Sequence, residues 1–214
     1  MTASPYADEA AAREAVTALV HELFQARLIT STGGNVSVRL GTGDVLITPT
    51  RMHKGGLTPA TLVRVDAQGQ PYPGQGKPSS ETPLHLAVYE AFPQVHAVVH
   101  THAPYATALG LMGQRIPPIL ADALPFEHMR TVYYVVPGDR AGIARLVEGL
   151  RHAPAVLMQN HGLLTVGETL RQAANYALAL EEVIHILTVC RIWGIEPRTL
   201  PPDDAATLRE LGVV

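Results

Sequence analysis

The residues best suited to metal chemistry are His100 and His102, separated by one residue, and His161 further along the chain. The apolar run at residues 95–100 predicts a short strand, and side chains two residues apart on a strand project from the same face. His100 and His102 can therefore converge on one point. A third imidazole at the end of another apolar run, residues 155–158, would complete an open three-nitrogen site that leaves a position for water or substrate.

Two hydroxyls and a carboxylate stand ahead of this strand, at Ser79-Ser80-Glu81. An isolated His-x-His pair also occurs among ordinary surface and core residues, so it does not establish a metal site by itself. The neighbouring motif is therefore needed to decide whether the histidines bind a metal. Ser79 or Ser80 suits the N-cap of a helix, and Glu81 would then lie in the first turn, where the helix dipole favours negative charge. A second interpretation makes Glu81 a carboxylate that faces the metal and exchanges protons with a bound substrate. The spacing alone leaves both roles open.

The elements that would position these groups alternate between helices and short strands. A turn at residues 41–44 joins the first two strands in a hairpin, and the Gly-, Pro- and Gln-rich residues 66–78 predict a loop that leads to Glu81. A loop with a short helix is expected after residue 197. Helical spacing predicts helices over residues 8–28, 104–112, 139–150 and 170–193, and apolar or alternating runs predict strands at 36–40, 45–47, 62–65, 95–100, 132–136, 155–158 and 163–166.

Composition narrows the class of protein. With 214 residues and 47% hydrophobic content, the chain can bury a substantial core, and one domain over residues 1–214 is expected although the length alone allows two. The formal charge of −3 without a basic run excludes an electrostatic case for nucleic acid or an anionic membrane. Cys190 is the single cysteine, which is compatible with a reducing compartment. The first residues lack a signal-peptide pattern and no apolar run reaches membrane-spanning length, so a cytoplasmic protein is expected.

Five motifs in order resemble the class II aldolase/adducin family, and most of all its L-fuculose-1-phosphate aldolases. The resemblance covers residues 8–193 and implies an α/β fold, a three-layer αβα sandwich with a central, largely antiparallel sheet. It also implies a homotetramer with active sites between subunits. The motifs are Gly34-Asn35-Val36-Ser37-Val38-Arg39, Ile47-Thr48-Pro49-Thr50, Lys77-Pro78-Ser79-Ser80-Glu81, His100-Thr101-His102 and Gln159-Asn160-His161-Gly162-Leu163.

The same resemblance assigns roles to individual residues. Glu81 matches the catalytic acid/base, which also caps the metal when substrate is absent. The positions that match the family's zinc ligands are His100, His102 and His161, and another divalent metal is possible. The positions that match its phosphate cradle, where hydroxyls, N–H groups and a helix N-terminus hold the dianion, are Asn35, Thr50, Ser79 and Ser80. The activity implied is zinc-dependent aldol cleavage of a small phosphorylated ketose through a metal-stabilised enediolate.

Two departures from the family pattern stand out. Fuculose-type aldolases are expected to have Gly after Thr-Pro-Thr, but this chain has Arg51, which can bind a phosphate or a substrate carboxylate or can be a solvated loop residue. The family's tyrosine proton donors also lack a counterpart, because residues 117–122 and the segment after residue 193 contain no tyrosine. Asp122 and His128 are the substitutes available.

Three alternatives compete with aldol cleavage. Related enzymes epimerise, dehydrate or decarboxylate similar substrates, although the epimerase has Asp where this chain has Glu81. A non-catalytic adducin-like interaction module is disfavoured because the histidines and Glu81 are intact and no long basic tail follows. A closed structural metal site would more often use thiolates, and Cys190 alone is available.

Overall fold

The computed structural model describes residues 4–134 and 136–212, and within them a seven-stranded sheet is flanked by helices on both faces. The helices are α1 (Glu9–Gln25), α2 (Thr82–Ala91), α3 (Pro104–Met112), α4 (Arg140–Gly149), α5 (Leu170–Ile192) and α6 (Pro202–Glu210). The strands are β1 (Asn35–Arg39), β2 (Val45–Ile47), β3 (Val63–Val65), β4 (Ala97–Thr101), β5 (Arg130–Tyr133), β6 (Ala155–Gln159) and β7 (Gly162–Gly167). Short 3-10 helices lie at Lys54–Gly56, Pro59–Thr61 and Ala121–Phe126.

The sheet order is β3-β2-β1-β4-β7-β6-β5, and every neighbouring pair is antiparallel except β5 with β6. One apolar core lies between the sheet and α1, α3 and α5, and a second lies between the opposite face and α2 and α4. The expected three-layer αβα sandwich with a largely antiparallel sheet is confirmed. In this register Asn35 of β1 lies beside His100 of β4, at the centre of the sheet.

Helix α1 shows how local chemistry sets the element bounds. Asp8 caps its first turn by accepting the N–H groups of Ala10 and Ala11, and an apolar stripe that includes Val16 and Leu23 is buried against the sheet. The predicted helix over residues 8–28 is three residues too long at its end. Arg27 has a left-handed backbone, with φ of 61°, which ends the helical hydrogen-bond pattern.

Strand β5 differs from the predicted strand over residues 132–136. It begins at Arg130 and ends at Tyr133, and Val135 lies outside the described residues. As an edge strand β5 pairs only with β6, and the last pair joins Tyr133 to Gln159, where β6 itself ends. Tyr134 therefore has no strand partner to extend the ladder.

Helix α5 is the one described helix that is long and apolar enough to cross a membrane by length and composition. It is not the uninterrupted apolar run that was expected to be absent, because Glu181 and Glu182 lie near its middle. The central helix of a soluble core meets the same criteria. The inner face of α5, including Ala173, Ala177 and Leu180, is fully buried against β4, β7 and α3. This packing is that of a core helix.

Candidate metal centre and substrate cavity

His100 and His102 converge as the strand period predicts. His100 lies in β4, His102 follows the last residue of that strand, and their Nε2 atoms are 3.1 Å apart. His100 Nδ1 donates to the carbonyl oxygen of Leu163 on the neighbouring strand β7, at 2.9 Å. Because a carbonyl only accepts, the His100 proton is on Nδ1, and Nε2 is left with a lone pair suited to a metal.

His161 reaches the same point from the tight turn between β6 and β7. Asn160 provides the turn with a left-handed backbone, at φ of 63°, and the His161 N–H donates to Met158. His161 Nδ1 donates to the Tyr134 carbonyl oxygen at 3.2 Å, and the buried Tyr134 ring stacks on the imidazole with 5.8 Å between centroids. One nitrogen from each of the three histidines falls within 4.8 Å of the others.

Two glycines make room for this cluster. A Cβ at Gly33 would lie 2.6 Å from His102 Nδ1, and a Cβ at Gly162 would overlap the carbonyl oxygen of Thr101. The Gly162 that follows His161 in the motif is therefore required by close packing of β7 against β4.

Glu81 completes the cluster from the start of α2. It occupies the N-cap position, so the expectation of a first-turn Glu81 behind a Ser79 or Ser80 cap is wrong by one or two residues. Ser79 Oγ instead accepts the Glu81 N–H in the turn ahead of the helix. Glu81 Oε2 is 3.2 Å from His100 Nε2, and Oε1 is 3.7 Å from His161 Nε2.

The donor set fits a divalent metal. Glu81 Oε1 is buried and has no hydrogen-bond partner among the described residues, which is unfavourable for a carboxylate oxygen unless a cation approaches it. Three imidazole nitrogens that face one point, with a carboxylate beside them, form an open site of the type that zinc occupies in enzymes. The residues that could hold the ion are therefore His100, His102 and His161, with Glu81 at the open side.

The protonation states suit the same purpose. Burial, reinforced by His100, lowers the pKa of His102 to about 4, and the same two causes lower the pKa of His161. Both imidazoles are therefore in the neutral, metal-binding form at neutral pH. Burial acts to raise the pKa of Glu81, but in the metal-free protein the positive charge that His100 carries when both of its nitrogens are protonated, together with the hydrogen bond from Asn35, outweighs burial, so the net pKa is lowered and the carboxylate is ionised.

A buried polar chain, which the sequence did not indicate, runs behind Glu81. Asn35 Nδ2 donates to Glu81 Oε2 at 2.7 Å, and Asn35 Oδ1 accepts from His85 Nε2 at 2.5 Å. His85 Nδ1 then accepts from Ser37 Oγ, and Ser37 Oγ accepts from the Tyr89 hydroxyl, each at 2.7 Å. Because a carboxylate only accepts, every donor in this chain is directed toward Glu81.

A cavity with a volume of about 170 Å³ adjoins the histidine cluster. The two loops that the resemblance assigns to anion binding are held together, since the Thr50 N–H donates to the Lys77 carbonyl oxygen and the Ser79 N–H donates to the Thr48 carbonyl oxygen. Arg51 is exposed at the cavity and has a left-handed φ of 56°, a conformation that favours the glycine expected there. The predicted substrate-binding residues Asn35, Thr50, Arg51, Ser79 and Ser80 all line this cavity, together with Glu81, His102 and His161.

The substitute proton donors are not brought to the cavity by this chain. Asp122 lines a separate cavity with Phe126 and Tyr176, and His128 is exposed outside both.

Comparisons of this chain with a family model, with related sequences and with solved structures all point to the same family. The family model described as Class II Aldolase and Adducin N-terminal domain matches residues 14–188. The chain is 36% identical over 208 residues to the 3-oxo-tetronate 4-phosphate decarboxylase of Escherichia coli strain K12, covering 94% of this chain and 96% of the relative. It is 34% identical over 179 residues to the 5-methylthioribulose-1-phosphate/5-deoxyribulose-1-phosphate aldolase of Escherichia coli O45:K1, covering 83% of each. A solved structure of L-fuculose 1-phosphate aldolase superposes with a TM-score of 0.86 at 25% identity, over 95% of this chain and 97% of that one.

Proposed function

The chain belongs to the class II aldolase and adducin family, and on this premise we propose that it is a metal-dependent lyase. It cleaves a carbon–carbon bond next to a carbonyl group of a small phosphorylated substrate. The observation that carries the proposal is the convergence of three histidine nitrogens and Glu81 on one side of a cavity. Thr50, Ser79 and Ser80 line the same cavity, and hydroxyl side chains suit a phosphate.

The division of work follows from the residues. His100, His102 and His161 would hold the ion, zinc as first choice, which when bound supplies positive charge for two adjacent substrate oxygens and for the negative charge that develops on them. Glu81 moves a proton at the carbon that loses its bond, because it is the carboxylate that lines the cavity beside the histidines. The polar chain through Asn35 and His85 fixes the orientation of that carboxylate.

Decarboxylation of a phosphorylated 3-oxo acid is the first candidate reaction. Carbon dioxide leaves with its carbon–carbon bond broken, the electron pair passes toward the neighbouring carbonyl, and a proton delivered through Glu81 from water restores the carbon. Arg51 supports this choice because it places a cation at the cavity where a substrate carboxylate can pair with it. A relative of 36% identity is named for this reaction.

Aldol cleavage of a phosphorylated ketose, the reaction expected from the sequence, is the second candidate. A relative of 34% identity is named as an aldolase, and both reactions leave negative charge at the same position next to a carbonyl. The lack of tyrosine in residues 117–122 and after residue 193 favours decarboxylation, since that reaction releases carbon dioxide and needs no group to take the proton from a substrate hydroxyl as an aldehyde leaves.

Product identification tests the proposal. Zinc-loaded protein is incubated with a 3-oxo-tetronate 4-phosphate and with phosphorylated ketoses, and carbon dioxide and aldehydes are measured separately. Carbon dioxide from the acid alone supports the first candidate, and an aldehyde from a ketose supports the second. Zinc-loaded, folded protein that releases neither product contradicts the proposal.

The single domain over residues 1–214, the cytoplasmic location and the homotetramer with sites between subunits belong to the same proposal. Subunit contact is supported by exposed apolar side chains at the ends of α3 and α5. Met112 is 57% exposed and Trp193 72% exposed. Multi-angle light scattering gives the mass of the assembly, and a monomer across working concentrations contradicts the tetramer.

A further inference from the structure

Lys54 is the only lysine or arginine with a buried side chain in the part of the chain that the structure describes. It begins the short helix Lys54–Gly56 and is 2% exposed. Its backbone N–H donates to Ser31 at 2.8 Å, and its Nζ donates to the carbonyl oxygen of Pro49 at 3.2 Å. These bonds hold the side chain in the wall of the cavity that Thr50 and His102 also line.

The ammonium of Lys54 has no carboxylate within ion-pair distance among the described residues. Glu81, the acidic residue of the cavity, is already bonded to Asn35 and faces His100 and His161. An ammonium has three N–H groups, and the Pro49 carbonyl uses one. A buried charge without an opposite charge is unfavourable, and burial lowers the pKa of Lys54 to about 8, which leaves it mostly protonated at neutral pH.

We propose that Lys54 is a specificity-determining residue that binds an oxyanion of the substrate, its phosphate or its carboxylate, from the wall of the cavity. The anion supplies the opposite charge that the described protein groups do not. The chain has 14 arginines and only two lysines, so a general preference for lysine in this sequence does not explain the lysine at position 54. A compact ammonium is suited to a cavity of about 170 Å³ in which a planar guanidinium needs more space.

The inference rests on the proposed function for the nature of the substrate, but anion binding is measurable without turnover. Isothermal titration calorimetry of the zinc-loaded parent, Lys54→Met and Lys54→Gln proteins uses inorganic phosphate in one series and malonate in another. Loss of a charged hydrogen bond should weaken binding roughly tenfold to a hundredfold in both variants. A loss confined to phosphate assigns Lys54 to the phosphate group, and a loss confined to malonate assigns it to the carboxylate.

Lys77→Met is the matched control. Lys77 is the other lysine of the chain, is exposed and does not line this cavity, so its variant should bind both anions as the parent does. Zinc content is measured in each protein.

Without added anion, Lys54→Met should melt at the parent temperature or above it, since an unpaired buried charge is removed. Unchanged affinity for both anions overturns the inference, and a lower melting temperature with that unchanged affinity shows that Lys54 is only a structural tether. If the protein cleaves no carbon–carbon bond, the proposed function fails, but the calorimetric test of anion binding by Lys54 is still valid.

Discussion

Asn35 connects the Glu81 carboxylate to the protein interior: its Nδ2 donates to Glu81 Oε2 at 2.7 Å while its Oδ1 accepts from His85. The resemblance to aldolases suggested a phosphate ligand at this position. One N–H of the carboxamide is left for a substrate, but the oxygen is used and the orientation is fixed by Glu81. Asn35 therefore positions Glu81 and can contribute at most one hydrogen bond to an anion.

Asn35→Asp tests this positioning role. The variant replaces a donor with a second carboxylate of the same shape, so the pKa of Glu81, lowered in the parent, should rise. Glu81 would then stay protonated to higher pH, and the acidic limb of the plot of kcat/KM against pH should shift to higher pH. Turnover should fall by about tenfold to a hundredfold, as is usual for groups that orient a metal site. An unmoved pH profile at normal zinc content would show that Asn35 does not act on Glu81.

His102→Ala tests the metal centre. The parent should carry about one divalent ion per chain, and the variant should lose it because two imidazoles and a carboxylate form a weaker site. Elemental analysis after dialysis provides the measurement. His128→Ala is the control, since His128 is exposed and outside the cavity. Equal metal content in His102→Ala and parent would remove His102 from the ligand set.

Glu81→Gln separates proton transfer from support of helix α2. The variant keeps the size and hydrogen-bonding ability of the side chain and loses its ionisation, so the fold should persist. Turnover should fall about a hundred- to ten-thousand-fold. A charge near a helix N-terminus contributes only ~1 kcal/mol to stability, so loss of that charge alone would not reduce turnover this much. Solvent-deuterium incorporation at the substrate carbon should fall with turnover. Near-normal exchange in folded, zinc-loaded variant protein would reject Glu81 as the proton carrier.

Arg51 permits a paired test because its left-handed backbone and its charge can be removed separately. Arg51→Gly relieves the strained φ of 56° and should raise the free energy of unfolding by about 1 kcal/mol, whereas Arg51→Ala keeps the strain. Both variants lose the cation. Relative to the parent, both should therefore raise the KM for a phosphorylated 3-oxo acid more than the KM for a phosphorylated ketose. Urea unfolding and steady-state kinetics measure the two effects. Equal stability of the two variants would contradict the strain argument.

The buried histidines make the stability of metal-free protein depend on pH. Burial lowers the pKa of His85 to about 3, and burial with His100 lowers that of His102 to about 4, from 6.5 in the unfolded chain. Below about pH 6.5 the unfolded chain binds protons that the native chain does not, so the free energy of unfolding should fall as pH decreases toward about 4. His85→Gln removes one of these groups and should flatten the dependence. An identical pH dependence in parent and variant would contradict the assignment to His85.

Residue patterns predicted those parts of the site that depend on neighbours along the chain. The period of a strand brought His100 and His102 together, and helical spacing located α3 with its observed bounds. The polar chain behind Glu81 was beyond such reasoning because Ser37 lies 48 residues from His85 and 52 from Tyr89. Those contacts depend on how α2 packs on β1, which no local pattern specifies.

The stacking of Tyr134 on His161 was missed for a related reason. The sequence pattern predicts Tyr134 in the middle of a strand, whereas β5 stops one residue earlier because β6 has no further residue to pair with. The end of an edge strand is set by its partner's turn, and that turn carries His161.

The pairing of β4 with β7 has a consequence for the order of events during folding. His100 donates to Leu163, 63 residues away, and His161 stands at the start of the same ladder. A complete ligand set therefore exists only after this non-local pairing has formed, and such pairings are slow to form. Binding of added zinc should therefore follow closure of the sheet. During refolding in the presence of a zinc indicator, the colour change that reports zinc binding should occur later than the rise in helical circular dichroism.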